Sequence, residues 1–262
     1  MTPREWGVDF VFFSWYKIYS AHTASLYISP RATRERKLLT KLNHHFLHGK
    51  EGTYPYQPSS QQYELIAATA RVVEYLSWIG KAAAGSKGPE QVAWKEAFES
   101  GEGGGVYGAK STNGSGAKGD ASALRAQLQS DLEQSFAAIS AHEQALLEVL
   151  MAFLTSKEMR ELGIRVVGNE AADSSVRAPT VAFVIVQEDG KGSKKKCAEL
   201  QQRVVRDGKL GLQQGHMYAY ALVEGLGLPI DDGVVRVSFV HYNSVEEVKR
   251  ICALVEEAVR SL

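Results

Sequence analysis

A lysine at the end of an apolar run is the first residue in this chain whose setting suggests chemistry. Val8-Asp9-Phe10-Val11-Phe12-Phe13 reads as a buried β-strand, and Ser14-Trp15-Tyr16-Lys17 follows it directly. A buried ammonium is costly unless something pairs with it or uses it. Desolvation lowers a lysine's pKa, and the neutral amine is the form that condenses with carbonyl compounds. The plain alternative is a lysine whose stem snorkels out of a loop. Ser14 and Lys17 also have the Ser-x-x-Lys spacing of serine-acylating enzymes, but the companion Ser-Asp-Asn and Lys-Thr-Gly triplets are absent.

Arg236 poses a similar question, because Val234, Val235, Val237 and Phe239 surround it. An arginine in an apolar strand needs an anionic partner, either a ligand or a structural Asp or Glu. His44 and His48 stand four apart and could share one helix face, but no carboxylate or cysteine close by completes a metal site. No metal is expected. Cys252 falls on the apolar side of a helical pattern and reads as core. Cys197 follows Lys194-Lys195-Lys196 and is expected at the surface.

Composition narrows the class. The chain has 262 residues, 44% hydrophobic and 23% charged, which is ordinary for a globular protein and disfavours disordered or fibrous classes. Thirty basic residues balance thirty acidic ones, so no global field draws the chain onto nucleic acid or an anionic membrane. The basic runs at 31–37 and 194–196 read as solvated faces. Two cysteines are too few for a disulfide framework or a zinc site, which implies a reducing, cytoplasmic setting. No unbroken apolar run approaches the ~20 residues of a membrane helix. Met1-Thr2-Pro3-Arg4-Glu5-Trp6 has no secretory pattern.

The elements that must position these residues alternate in type, which points to α/β. Strands are expected at 8–13, 23–28, 164–167, 180–187, 210–213 and 234–240. Helices are expected at 33–45, 61–81, 121–157, 194–206, 217–226 and 244–262. Ser244 with Glu247 three residues on forms a capping box for the last helix. Residues 49–60 read as loop. Residues 101–119 hold eight of the chain's 24 glycines and read as a flexible insertion. Gly103 and Gly108 have phosphate-loop spacing, but Ala109 stands where that loop needs lysine.

Six segments, in order, resemble the class V aminotransferases, and within them the cysteine desulfurase-like branch. Residues 8–19 are similar to the cofactor-lysine segment. Tyr63-Glu64-Leu65 and Val73-Glu74-Tyr75-Leu76 resemble the helix after the phosphate loop, and Ala141-His142-Glu143 the bridging helix. Pro179-Thr180-Val181-Ala182-Phe183, Gly215-His216-Met217-Tyr218-Ala219 and 235–244 complete the match. The resemblance implies that Lys17 holds pyridoxal 5′-phosphate (PLP) through its amine and shuttles the substrate α-proton. It implies that Ser14 and Tyr16 contact the cofactor phosphate, and that Ser60 reaches the phosphate of a partner subunit, with Gly52-Thr53 a competing alignment. It further implies that Arg236 forks the substrate carboxylate and that His216 faces the substrate.

Two departures bear on activity. The desulfurases of this family carry a nucleophilic cysteine after Gly-His, where this chain reads Met217-Tyr218-Ala219. Desulfurase chemistry is therefore not expected. Only 16 residues precede Lys17, so the family's pyridinium-binding acid, ring-stacking residue and first phosphate loop lie outside this sequence. The chain is expected to be a fragment, a degenerate paralogue, or a half completed by another chain.

The expected fold is α/β of the PLP-dependent transferase type (fold type I). Residues 1–81 would form the C-terminal edge of the large cofactor domain, 82–120 an insertion, and 121–262 a bridging helix with a small C-terminal lobe. The implied protein is a homodimer acting at the Cα of an amino acid, a small-molecule substrate, by transamination or elimination. The rival expectation is a non-catalytic remnant or interaction module that has lost the cofactor.

Overall fold

The computed structural model describes residues 3–35, 62–85, 121–187, 193–194, 196–208 and 210–262. The expected loop at 49–60, the glycine-rich stretch, Ser60, Gly52-Thr53, His44, His45 and His48 lie outside the described residues. By internal contacts the chain divides into two compact units, Met1–Ile79 with Gly103–Asp131, and Gly80–Glu102 with Leu132–Leu262.

Unit 1 is built on a hairpin. Strands β1 (Phe10–Ser14) and β2 (Ala24–Ile28) pair antiparallel, with Phe10 opposite Ile28 and Ser14 opposite Ala24. The period-two alternation puts Phe10, Phe12 and Leu26 on one face. Phe12 is 80% exposed and Leu26 55%, so the strand expected to be buried is not. The reason is architectural: among the described residues the sheet has two strands and nothing covers that face. After β2 a π-helical turn occupies Arg31–Glu35, in place of the start of the helix expected at 33–45. Helix α1 (Tyr63–Gly85) buries Val72, Leu76 and Ile79, which recur at helical spacing. The Ser77 hydroxyl donates to the Asp131 carboxylate at 2.7 Å, satisfying both buried groups.

Helix α2 (Ala121–Leu154) follows, then the short α3 (Lys157–Glu161). Over Ala126–Leu154, α2 is long and apolar enough on average to cross a membrane, a property core helices share. Its Leu146, Leu147, Leu150, Met151 and Leu154 are buried in the core of unit 2, which accounts for that composition.

Unit 2 is organised by a four-stranded antiparallel sheet in the order β3 (Ile164–Val166), β4 (Thr180–Ile185), β6 (Val234–Ser238), β5 (Gln213–Gly215). Val181, Phe183, Val235 and Val237 are buried. Helix α4 (Cys197–Gly208) packs against β5, β6 and the last helix, and the short α5 (Tyr220–Gly225) links β5 to β6. Helix α6 (Val245–Arg260) closes the unit and carries the full capping box: the Ser244 side chain accepts from the Glu247 amide, and the Glu247 carboxylate accepts from the Ser244 amide.

Cys197 corrects an expectation. It is fully buried, because Asp232 accepts the amide N–H groups of Cys197 and Ala198, each at 3.1 Å, and so ties the start of α4 inward. A carboxylate capping orphan N–H groups from a distant loop does the work of a local N-cap. Cys252 is buried, as its helical position suggested.

Candidate functional site

Lys17 sits in a single 3-10 turn, Trp15–Ile18, at the end of β1. Three contacts fix that turn. The Trp15 amide donates to the Thr23 carbonyl at 2.8 Å, the Trp15 indole N–H donates to the Ser25 hydroxyl at 2.6 Å, and the Trp15 ring lies 4.9 Å from that of Phe13. Tyr19 then takes a left-handed conformation, φ 72°. A non-glycine residue there costs roughly 1–2 kcal/mol, so the tip of the hairpin is held against strain. The opposite end is clamped by Asp9, whose carboxylate accepts from Ser29 and Arg31, each at 2.9 Å.

The lysine itself is exposed rather than buried, since the strand before it is open to solvent. Its ammonium lies 5.3 Å from the centre of the Tyr16 ring, a cation–π contact. The other neighbour of Tyr16 is His22, stacked at 4.8 Å with 13° between planes. Ser14, at the last β1 position, is half-buried and its side chain caps nothing. Ser14, Tyr16 and Lys17 thus sit on one short, braced segment of unit 1. His22 was not singled out from the sequence, because ring stacking across a hairpin tip leaves no local signature.

His216 and Arg236 belong to unit 2 and to the same strand pair. Arg236 lies on β6 directly across from Gln213 of β5 on one side and Ala182 of β4 on the other. Its guanidinium Nη2 donates to the Gln213 side-chain oxygen. No carboxylate pairs with it among the described residues. The Nε–H of Arg236 is buried and without a hydrogen-bond partner.

His216 follows β5 immediately and starts a tight turn, in which the Ala219 amide donates to the His216 carbonyl at 2.7 Å. Met217 (φ 50°) and Tyr218 (φ 63°) are both left-handed, a backbone usually reserved for Gly or Asn. That turn is why the helix expected from 217 begins at 220. Tyr218 is fully exposed. His216 Nδ1, like Arg236 Nε, is buried without a partner, and the His216 ring meets Tyr220 edge-on at 5.9 Å. Strained backbone and buried polar atoms without a partner thus fall on the same turn and strand pair.

A second group of titratable residues lies on α2 and near α6. The His142 Nε2 is 2.8 Å from the Asn243 carbonyl oxygen. His241 is almost wholly buried, and burial, followed by the charge of His142, holds its pKa down. Burial pushes the Glu143 carboxyl up to about 7. The two thiols are equally removed from their ordinary range: burial and Asp232 push Cys197 to about 12, and burial pushes Cys252 to about 11.

No family model matches the chain. An aminotransferase-like protein of Gibberella zeae is 30% identical over 254 residues, 97% of this chain and 46% of that protein. A cysteine desulfurase-like protein of Aspergillus flavus is 26% identical over 257 residues, 98% of this chain and 44% of that protein. The chain is a relative of the cysteine desulfurase-like and aminotransferase-like proteins. It matches their C-terminal part and spans less than half of their length. The fold agrees: an Escherichia coli cysteine desulfurase in its S-sulfonic acid form superposes with TM-score 0.57 at 14% identity, over 99% of this chain and 48% of that one. A NifS-like protein superposes with TM-score 0.52 at 14% identity, over 97% and 47%. The α/β architecture is therefore that of part of a fold-type-I enzyme.

Proposed function

We propose that the protein acts at the Cα of an amino acid, using PLP held by the amine of Lys17. The observation that carries this reading is the hairpin tip. A braced turn presents a lysine amine that no carboxylate neutralises among the described residues, with the hydroxyl residues Ser14 and Tyr16 three positions and one position before it in sequence. The donor set fits the cofactor: an amine for its aldehyde, and hydroxyl donors for its phosphate, to which Ser60 of a partner subunit would add. Bound there, PLP supplies an electron sink for charge developing at Cα.

The chain's own residues do the rest. The Lys17 amine would act as the base that takes the proton from Cα. Arg236 holds the substrate carboxylate with a planar pair of donors, and His216, just past β5, faces the substrate. Desulfuration is disfavoured, because both thiols are buried with raised pKa values and a thiolate is the nucleophile that reaction needs. Transamination or elimination remains, in a cytoplasmic homodimer.

The test is loss of the α-proton. PLP-loaded protein incubated in deuterium oxide with single amino acids is followed by proton NMR. Loss of the Cα–H signal for one of them, absent in Lys17→Ala, supports the reading, and no exchange with any amino acid defeats it. That second outcome would favour a module that adds a protein strand to its hairpin, which the exposed Phe12 and Leu26 also suit.

A further inference from the structure

We infer that Gln213 is the positioning residue for Arg236, holding its guanidinium in place without neutralising it and so keeping an unspent positive charge for an organic carboxylate. The inference rests on the reading of Arg236 given above and adds the residue that makes it work.

A guanidinium in a strand can be fixed in two ways. A structural Asp or Glu would orient it and cancel its charge, leaving little attraction for a ligand anion. An amide oxygen orients it through one hydrogen bond and leaves the charge whole. Unit 2 uses the second way. Gln213 is the directly opposed residue on β5, its side-chain oxygen accepts from Arg236 Nη2, and the opposed residue on β4 is Ala182, which offers no side-chain acceptor. Held from one side, the guanidinium keeps its Nε–H buried and unpaired, a donor whose desolvation only a ligand repays. A second buried polar atom without a partner, His216 Nδ1, lies one residue past Gly215 at the end of β5. A carboxylate with two oxygens is the ligand class that such a charge and its unpaired Nε–H suit. Gln213 itself is exposed, so changing it disturbs no core.

The experiment follows the Arg236 Nε–H resonance in full-length protein labelled with 15N-arginine, assigned by its loss in Arg236→Lys. L-alanine is the titrant, and no cofactor is added. The wild type should show a saturable shift. Gln213→Glu, which pairs with the guanidinium and cancels its charge, should weaken the apparent affinity about tenfold or more. Gln213→Met, which keeps the length and removes the acceptor, should weaken it less and broaden the resonance. No cofactor enters the titration, so failure of the cofactor reading leaves this result legible. Equal affinity in Gln213→Glu and wild type would overturn the inference. So would a wild-type resonance that L-alanine leaves unmoved.

Discussion

The hairpin of unit 1 and the sheet of unit 2 are both antiparallel, yet they are finished to different degrees. In unit 2 every inward residue of β4 and β6 is covered: Val181, Phe183 and Val235 are wholly inaccessible, and α4 and α6 belong to the same core. In unit 1 the corresponding alternation ends in solvent, with Phe10, Phe12 and Leu26 open on one face and a strand edge unpaired among the described residues. A two-stranded ribbon alone is marginal in water. It is kept in shape here by polar clamps at its two ends, Asp9 with Ser29 and Arg31, and Trp15 with Thr23 and Ser25. The sheet holds Arg236 and His216 by packing, and the hairpin holds Lys17 by hydrogen bonds.

The sharpest way to break that contrast is a matched pair of deletions. Phe183→Ala should cost about 3–5 kcal/mol of stability in chemical denaturation, whereas Phe12→Ala should cost less than about 0.5 kcal/mol. Equal losses would mean that something covers the hairpin after all.

Next in size is Gly233→Ala. Gly233 has φ +57°, and an added Cβ would stand 2.2 Å from the Gly215 carbonyl carbon. The strand pair that carries Arg236 and His216 would have to open, at about 2–4 kcal/mol, with a melting curve as the readout. Asp232→Ala removes the carboxylate that receives the Cys197 and Ala198 amides, and should cost about 1–3 kcal/mol. Cys197 should then react faster with a thiol reagent under native conditions.

The smallest effect is a pH dependence. The Glu143 pKa in the folded protein is about 7, above its ordinary 4.5, so the folded state binds the extra proton. Its contribution is fully present below about pH 4.5 and is lost as pH rises through 7. His241, whose pKa burial lowers, works in the opposite sense, so the variant must be compared with wild type at each pH. Glu143→Gln should be more stable than wild type at pH 8 and should lose that advantage at pH 5.

How much of this was written in the sequence depends on the range of the interaction. The strands at 180–185 and 234–238 and the final helix with its cap were legible, because alternation, 3.6-residue spacing and Ser244-x-x-Glu247 are local signals. Residues 8–13 were legible as a strand but not as an exposed one: apolar composition says what would be buried, not whether anything lies against it. The lysine run before Cys197 suggested a surface thiol, and the capping carboxylate that pulls it inside comes from 35 residues away. Gln213 escaped notice because cross-strand register, not chain distance, sets it against Arg236. The turn at Met217 and Tyr218 contains neither Gly nor Asn, so its left-handed backbone left no trace in residue type.

The most direct test of the central claim is to find where the cofactor attaches. The full chain is mixed with PLP, reduced with borohydride, digested, and the labelled peptide identified by mass spectrometry. Label concentrated on Lys17, and lost from Lys17→Ala without moving to Lys81 or Lys157, is the predicted result. Label spread over the surface lysines in proportion to their exposure would contradict the account and leave the hairpin tip with no cofactor to hold.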